Sequence, residues 1–261
     1  MSIENVNPLE NLVSDGGFVG IFRTIGCIGD SLSSGEFQST KEDGSQGFHD
    51  MYEYSWGQYM AREAGCTVYN FSRGGMSAKW FNESFEQQCG IWTEEKKCQA
   101  YVIALGVNDV MNQNQTIGEV GDCEKEGYAD NRTYSGEYEI IIKKIKDFQP
   151  KARIFLMTIP DNGEFGDPSR REKGAKVQKL LSDFCDKYEF TYLIDLYKYA
   201  PKYDAEFRDK YFLAGHMNPM GYMIHAKFVT TYIDYIIRNN MEDFKQVAFI
   251  GTQWHSDKAK W

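Results

Sequence analysis

Five short apolar runs alternate along the chain with segments of helical periodicity. The runs cover residues 22–28, 67–71, 100–105, 153–159 and 190–196. Short apolar runs bounded by turn residues are typical of parallel strands that are buried on both faces. Because strands alternate with helical segments, the pattern predicts an α/β fold in which helices wrap both faces of a five-stranded parallel sheet.

The segments between and after the runs predict helices over residues 54–63, 78–85, 138–148, 168–188 and 219–239. Gly65 and Pro150 are suitable helix ends, and Pro219 suits the first turn of the last helix. Three long polar stretches, 33–53, 111–137 and 197–213, have no readable periodicity. They are expected to be loops that shape a pocket.

The two ends of the chain are expected to lie outside this sheet. Residues 1–17 are predicted to be an extended lead-in, residues 18–21 a short additional strand, and residues 240–261 a C-terminal extension. A strand-like run at 246–250 would pair with the lead-in. The sequence contains no internal repeat and no long linker, so we predict one domain over residues 1–261.

Candidate catalytic residues follow the predicted strands. Ser31 comes after the first strand in Gly29-Asp30-Ser31, Gly74 after the second, Asn108 after the third, and His216 beyond the fifth. All four therefore fall at the carboxyl edge of the sheet, where ligands bind in open α/β proteins. Histidine can activate a serine as general base. The Ser31 and Gly74 N–H groups and the Asn108 amide could form an oxyanion hole, and this combination predicts acyl transfer.

These positions resemble the sequence blocks of the GDSL/SGNH hydrolases. The matching stretches are Gly29-Asp30-Ser31-Leu32, Asn70-Phe71-Ser72-Arg73-Gly74-Gly75, Gly106-Val107-Asn108-Asp109, and His216 with Asn218 and Gly221-Tyr222. The resemblance spans residues 22 to about 235 with the four name-giving residue types in order. It implies a flavodoxin-like three-layer α/β/α sandwich that hydrolyses esters or thioesters with no metal and no organic cofactor. A small acyl ester, such as an acetyl group on a carbohydrate, is the substrate expected by analogy.

The third member of a catalytic triad is in question. The family usually has Asp three residues before the histidine, and this chain has Leu213 there. Asp209, our candidate for the third residue, or Asp204 could replace it from another backbone position. A backbone carbonyl could also orient the ring, and a Ser31–His216 dyad without a third residue stays open.

Composition and charge restrict the classes of partner that the protein can be expected to bind. The net charge of −9 over 261 residues argues against nucleic acid or an anionic membrane as a partner. No apolar run approaches the about 20 residues that span a bilayer, and residues 1–10 lack the basic and apolar regions of a secretory signal. We therefore expect a cytoplasmic protein; its oligomeric state is left open.

The cysteines and histidines predict neither a disulfide framework nor a metal site. The six cysteines are scattered without a CxxC pair, although a Cys89–Cys98 disulfide stays open. His49, His225 and His255 are expected to be structural, and no metal-binding histidine spacing occurs.

Three other functions compete with the esterase. A non-catalytic carbohydrate-binding or regulatory protein could retain this fold after losing the carboxylate at Leu213. An α/β-hydrolase is disfavoured because no GxSxG occurs, and a nucleotide- or flavin-binding protein because neither GxGxxG nor the P-loop pattern occurs. Arg73, Arg170 and Arg171 are expected to be solvated charges, with contact to an acidic substrate group as the alternative.

Overall fold

The computed structural model describes residues 6–163, 165 and 167–255. Its strands are β1 Thr24–Gly29, β2 Glu36–Thr40, β3 Gln46–Asp50, β4 Thr67–Ser72, β5 Ala100–Ala104, β6 Arg153–Met157, β7 Thr191–Ile194, β8 Phe212–Leu213 and β9 His216–Met217. The helices are α1 Ser31–Ser34, α2 Trp56–Ala64, α3 Ala78–Trp80, α4 Glu86–Cys89, α5 Tyr134–Phe148, α6 Ser169–Lys187, α7 Leu196–Tyr199, α8 Ala205–Tyr211, α9 Pro219–Asn239 and α10 Met241–Phe244.

All five predicted strands pair in one parallel sheet with the order β4-β1-β5-β6-β7. Because β1 lies between β4 and β5, the chain reverses its direction of travel across the sheet after β4, as in a flavodoxin-like fold. The register pairs Gly29 of β1 with Ser72 of β4 and with Ala104 of β5. The carboxyl ends of three strands therefore lie side by side, and their loops share one edge.

Apolar side chains cover both faces of the sheet. One buried cluster includes Ile25 and Cys27 of β1 with Trp56 of α2 and Val229 of α9. A second cluster on the other face joins Ile28 of β1, Ile103 of β5, Tyr138 of α5 and Phe184 of α6. Successive strand residues point to opposite faces, so one continuous apolar run supplies both clusters. These layers form the predicted α/β/α sandwich.

The helix boundaries follow the capping chemistry. The Ser55 and Asn218 side chains accept from backbone N–H groups at the starts of α2 and α9, and Gly65 closes α2 in the left-handed conformation. Helix α5 begins at Tyr134, before the apolar periodicity that predicted it, because Thr133 caps its first turn.

Four expectations for the loops and ends were wrong. Residues 36–50 are not a loop but the antiparallel hairpin β2–β3, and residues 205–211 form helix α8. Residues 17–21 form a 3₁₀ helix instead of a strand. The run 246–250 is not a strand, because it contains the 3₁₀ turn Val247–Phe249. The Gln99 amide donates to the carbonyls of Val247 and Ala248, which is incompatible with a strand ladder there.

All six cysteines are free, so the Cys89–Cys98 disulfide left open by the sequence does not form. Among the described helices, none is long and apolar enough to cross a bilayer.

Candidate active site

Ser31 is positioned by the abrupt end of β1. The Asp30 side chain caps helix α1 by accepting a hydrogen bond from the Leu32 N–H at 3.0 Å, so Ser31 occupies the first helical position. The turn requires glycine at position 29, because a Cβ there would lie 2.2 Å from Ser33 Oγ. The Ser31 N–H is one of the helix-start donors that have no partner within the helix.

The loops after β4 and β5 carry the other two predicted oxyanion donors. Gly74 follows β4, and Asn108 lies in the π-helical turn Val107–Asn112 after β5. The Asn108 amide donates to the Met76 carbonyl at 3.0 Å, and its side-chain oxygen accepts from Asn112 at 2.8 Å. These bonds tie the two loops together and fix the orientation of the Asn108 amide group.

His216 lies in β9, where its ring faces the hairpin. His216 Nε2 is 3.0 Å from Glu36 Oε1, and Nδ1 is 3.4 Å from Gln38 Oε1. The ring also meets the edge of Phe48, with centroids 5.8 Å apart. Burial and then Arg208 lower the pKa of His216 from its ordinary value of 6.5, while Asp50 opposes this shift. The imidazole therefore remains a neutral base to a lower pH than a free histidine.

Glu36 touches two of the predicted catalytic groups. Besides its contact with His216, its Oε2 lies so close to Gly74 that a Cβ on that glycine would be 2.2 Å away. The Tyr222 hydroxyl holds the Glu36 backbone by donating to its carbonyl at 2.6 Å. Burial, and then repulsion from Asp50, raise the pKa of the Glu36 carboxyl. A carboxyl group thus stands where substrate and oxyanion would meet His216 and Gly74.

A cavity of about 570 Å³ opens at this edge of the sheet. Ser31, Asn108 and His216 all line it, together with Gly75 beside the predicted Gly74. Apolar and aromatic side chains form much of its wall, and these are Leu32, Phe48, Val107, Met111, Ile159, Phe165 and Phe212. A concave apolar pocket with a few converging polar groups is the usual form of a small-molecule site.

Two buried carboxyl groups support the loops that carry the predicted catalytic residues. Burial raises the pKa of Asp30 to about 7, and the neighbouring Asp109 adds to the shift. Burial likewise raises the pKa of Asp109 to about 7, and Glu137 adds to that shift. Asp109 Oδ1 accepts from the Ala78 N–H at 2.8 Å, whereas its Oδ2 has no partner. Asp109 therefore joins the Asn108 loop to the segment after Gly74.

The structure brings most, but not all, of the predicted site residues to the cavity. Asp209, the candidate third residue, is exposed on α8, and within the described chain it makes no ion pair or hydrogen bond with His216. Asp204 caps α8 through the Phe207 N–H. The His216 ring nitrogens face Glu36 and Gln38 instead.

Sequence reasoning missed the hairpin residues Glu36 and Gln38. Asp43-Gly44 is a common two-residue hairpin signal and could have revealed β2 and β3. Nothing in the local sequence indicates that Glu36 faces His216, because they are far apart along the chain.

A group of possible metal ligands lies outside the cavity lining. Side-chain atoms of Cys123, Glu124 and Glu139 fall within 4.8 Å of one another. Glu139 already accepts hydrogen bonds from Lys187 at 2.6 Å and Tyr188 at 2.7 Å. Its charge is thus compensated by the protein.

Comparison with known sequences identifies a family match over most of the chain. The model of the GDSL-like Lipase/Acylhydrolase family matches residues 27–224, which include Ser31, Gly74, Asn108 and His216. A comparison with curated proteins finds no match.

Solved structures with the same fold include carbohydrate esterases. A family two carbohydrate esterase from Clostridium thermocellum in complex with cellohexaose is similar at a TM-score of 0.57 and 16% identity, over 85% of this chain and 65% of that one. Est24, a carbohydrate acetylesterase from Sinorhizobium meliloti, has a TM-score of 0.54 and 14% identity, and the match covers 82% of this chain and 99% of Est24. A putative lipolytic protein of the G-D-S-L family from Desulfitobacterium hafniense has a TM-score of 0.52 and 14% identity, and the match covers 80% of this chain and 99% of that protein. This chain thus spans slightly less than two thirds of the Clostridium esterase.

Proposed function

This chain belongs to the GDSL-like Lipase/Acylhydrolase family and is a carboxylic ester hydrolase, and from that premise we propose that it removes small acyl groups, in particular acetyl groups, from carbohydrates. The observation that carries this proposal is the cavity that Ser31, Asn108 and His216 share at the carboxyl edge of the sheet. The aromatic side chains of Phe48 and Phe165 on its wall suit contact with a sugar ring.

In the proposed reaction, His216 removes the hydroxyl proton of Ser31 while Ser31 Oγ attacks the acyl carbon. The resulting oxyanion accepts hydrogen bonds from the N–H groups of Ser31 and Gly74 and from the Asn108 amide. His216 then returns the proton to the departing alcohol oxygen, and the acyl group remains on Ser31. Water, activated by the same imidazole, releases the acid and restores the serine.

Glu36 has to leave His216 before this reaction can begin. Its Oε1 contacts Nε2, and its Oε2 lies against Gly74, the residue whose N–H group would bind the oxyanion. A substrate acyl group would take the place of the Glu36 carboxyl, leaving Nε2 available to Ser31. We keep Asp209 as a predicted third residue, but its exposure favours a Ser31–His216 dyad in this conformation.

Substitution of the nucleophile and the base tests the proposal. We expect wild-type protein to hydrolyse p-nitrophenyl acetate faster than the octanoate and to release acetate from acetylated cello-oligosaccharides. Ser31→Ala and His216→Ala should each lower kcat by about a thousandfold or more, because nucleophile and base act as a unit. Initial-rate kinetics with each ester provides the measurement.

Ser39 and His49 provide a matched control. Their side chains lie 2.9 Å apart on the exposed hairpin and do not line the cavity. Ser39→Ala and His49→Ala should therefore retain wild-type turnover. Equal, weak rates in wild type, Ser31→Ala and His216→Ala would contradict the esterase proposal.

The contact between Glu36 and His216 Nε2 favours one second candidate, a non-catalytic carbohydrate-binding protein. A fluorophosphonate reacts with an activated serine, so mass-spectrometric labelling of Ser31 separates the two functions. Labelling that requires His216 supports the esterase. Cello-oligosaccharide binding without labelling of Ser31 supports the binding protein.

A further inference from the structure

Two arginines line the catalytic cavity without a carboxylate partner. Arg170, at the start of α6, and Arg208, in α8, are both partly buried. Within the described residues neither guanidinium lies within 4 Å of a carboxylate, whereas the adjacent Arg171 pairs with Asp161 at 3.5 Å. The overall charge is −9, so carboxylates are abundant, yet none of the described ones forms an ion pair with these two side chains.

Aromatic rings hold Arg208 in place. Its guanidinium carbon lies 4.1 Å from the Phe212 ring centroid and 4.7 Å from that of Phe165, and both rings line the cavity. One terminal nitrogen donates to the Ala214 carbonyl at 3.2 Å. A guanidinium has five N–H donors, so most of the donors of Arg208 have no protein acceptor among the described residues. Stacking restricts its motion and prepares it for a planar, two-oxygen ligand.

The two positive charges affect each other. Burial and then the charge of Arg170 lower the pKa of Arg208, so the two guanidiniums, which line the same cavity, repel each other. The described carboxyl groups that line the cavity have other partners: Asp30 caps α1, Glu36 contacts His216, and Asp167 accepts two hydrogen bonds from Ser169. After these hydrogen bonds, the charges of Lys173 and Arg170 also lower the pKa of Asp167, so Arg170 is partly compensated without an ion pair within 4 Å. A bound anion would relieve the repulsion between the arginines.

We propose that Arg170 and Arg208 form an anion subsite in the catalytic cavity, so that the preferred ester carries a carboxylate. This inference rests on the proposed function, because the cavity also contains Ser31 and His216. Among acetylated carbohydrates, an arginine subsite that binds a carboxylate would favour acidic sugars such as uronic acids. The same carboxylate could instead belong to the acyl part, as in the half-ester of a dicarboxylic acid.

Matched ester pairs test the subsite and distinguish these two sources. The alcohol-side pair is 4-acetoxybenzoate and its neutral methyl ester, and the acyl-side pair is mono-p-nitrophenyl adipate and its neutral methyl ester. We expect kcat/KM to be about 10-fold or more higher for the anionic member of one pair, since hydrogen bonds to charged groups are strong. The preference should weaken as salt is added.

Substitution of each arginine tests whether Arg170 and Arg208 cause the preference for anionic esters. Arg170→Gln and Arg208→Gln should each lower the anionic-to-neutral ratio of kcat/KM by about 10-fold, chiefly through KM. Arg208→Lys, which retains the charge without the planar fork, should restore part of the ratio. Arg171→Gln is the matched control, because Arg171 pairs with Asp161 and does not line the cavity.

A binding measurement on a variant that lacks the proposed nucleophile tests the anion subsite independently of ester hydrolysis. Calorimetric titration of the Ser31→Ala protein with glucuronate and with glucose should show tighter binding of glucuronate, and Arg208→Gln should remove the difference. If both sugars bind equally and both ester pairs show no preference, the subsite is wrong even though ester hydrolysis persists. If no ester is hydrolysed but glucuronate binds selectively, the proposed function fails and the anion subsite stands.

Discussion

At the scale of single residues, one side chain decides whether Ser31, the proposed nucleophile, and His216, the proposed base, can meet. Glu36 is the residue to test, because its carboxyl group contacts both His216 Nε2 and the position of Gly74. In the proposed mechanism, a negative charge there would compete with Ser31 for the imidazole and repel the developing oxyanion. Glu36 lines the cavity, so a carboxyl group, the kind of product that ester hydrolysis releases, already lies beside Gly74.

We predict that Glu36→Gln raises kcat/KM for neutral esters by about 3- to 10-fold, because it weakens a charge-assisted contact that has to break before reaction. Fluorophosphonate labelling of Ser31 should accelerate by a similar factor. Glu42→Gln, which changes an exposed hairpin carboxylate, should leave both rates unchanged. A fall of about 10-fold or more would contradict competition and instead assign Glu36 the role of the carboxylate missing at Leu213.

At the level of secondary-structure elements, the site depends on where strands end and loops turn. Gly106 has φ 135° between β5 and the π-helical turn that carries Asn108. A Cβ at this position would lie 2.9 Å from the Tyr134 hydroxyl, which donates to the Leu105 carbonyl at 3.0 Å. Backbone conformation and crowding therefore both require glycine.

Gly106→Ala should destabilise the protein by about 2 kcal/mol more than Gly44→Ala. Gly44 also has positive φ, at 80°, but a Cβ there meets nothing within 4 Å, so it reports backbone strain alone. Denaturant unfolding measures the difference between the two variants. Equal losses would show that Tyr134 does not restrict this turn. A lower kcat for esters should accompany Gly106→Ala because Asn108 shifts.

The elements also show how far the sequence could be interpreted. Central strands and long helices were predicted because their apolar periodicity is continuous, and each strand contributes to the cluster on either face. The hairpin β2–β3 was missed because its residues are mostly exposed and polar. Its sequence therefore lacks the alternation of apolar and polar residues that a half-buried strand shows. Helix α8 was missed because it is short and follows the unpatterned stretch after β7.

For the whole molecule, buried carboxyl groups make folding stability depend on pH. The pKa of Asp30 is raised to about 7 in the folded protein, so the folded state binds a proton that the unfolded state releases near pH 4. Between these values, the contribution of Asp30 to stability falls as the pH rises. Above pH 7 the cost of the buried charge is fully present.

Asp30→Asn should remove this cost while preserving the cap, since Asn is as good an N-cap as Asp. We expect the free energy of unfolding of the variant, relative to wild type, to increase by about 1–2 kcal/mol between pH 5 and pH 8. Thermal or urea unfolding at the two pH values measures it. Asp130→Asn, at an exposed position, should show no such change. If the difference in unfolding free energy between variant and wild type were the same at both pH values, the raised pKa of Asp30 would be refuted.

The sequence alone predicted the five parallel strands, the two-sided burial of the sheet, and Ser31, Gly74, Asn108 and His216 on the carboxyl side of the strands. These features depend on local periodicity and on the rule that parallel strands end at one edge. Membership in the GDSL-like Lipase/Acylhydrolase family agrees with that interpretation.

The partners of those residues depended on tertiary structure. Glu36 meets His216 across 180 positions of the chain only because the hairpin folds back over β9, and Arg170 reaches the same cavity as Arg208 only because α6 and α8 converge there. Such contacts arise from the packing of elements distant in sequence, which local pattern does not encode. The sequence therefore revealed the candidate catalytic groups, whereas the fold decided which charges surround them.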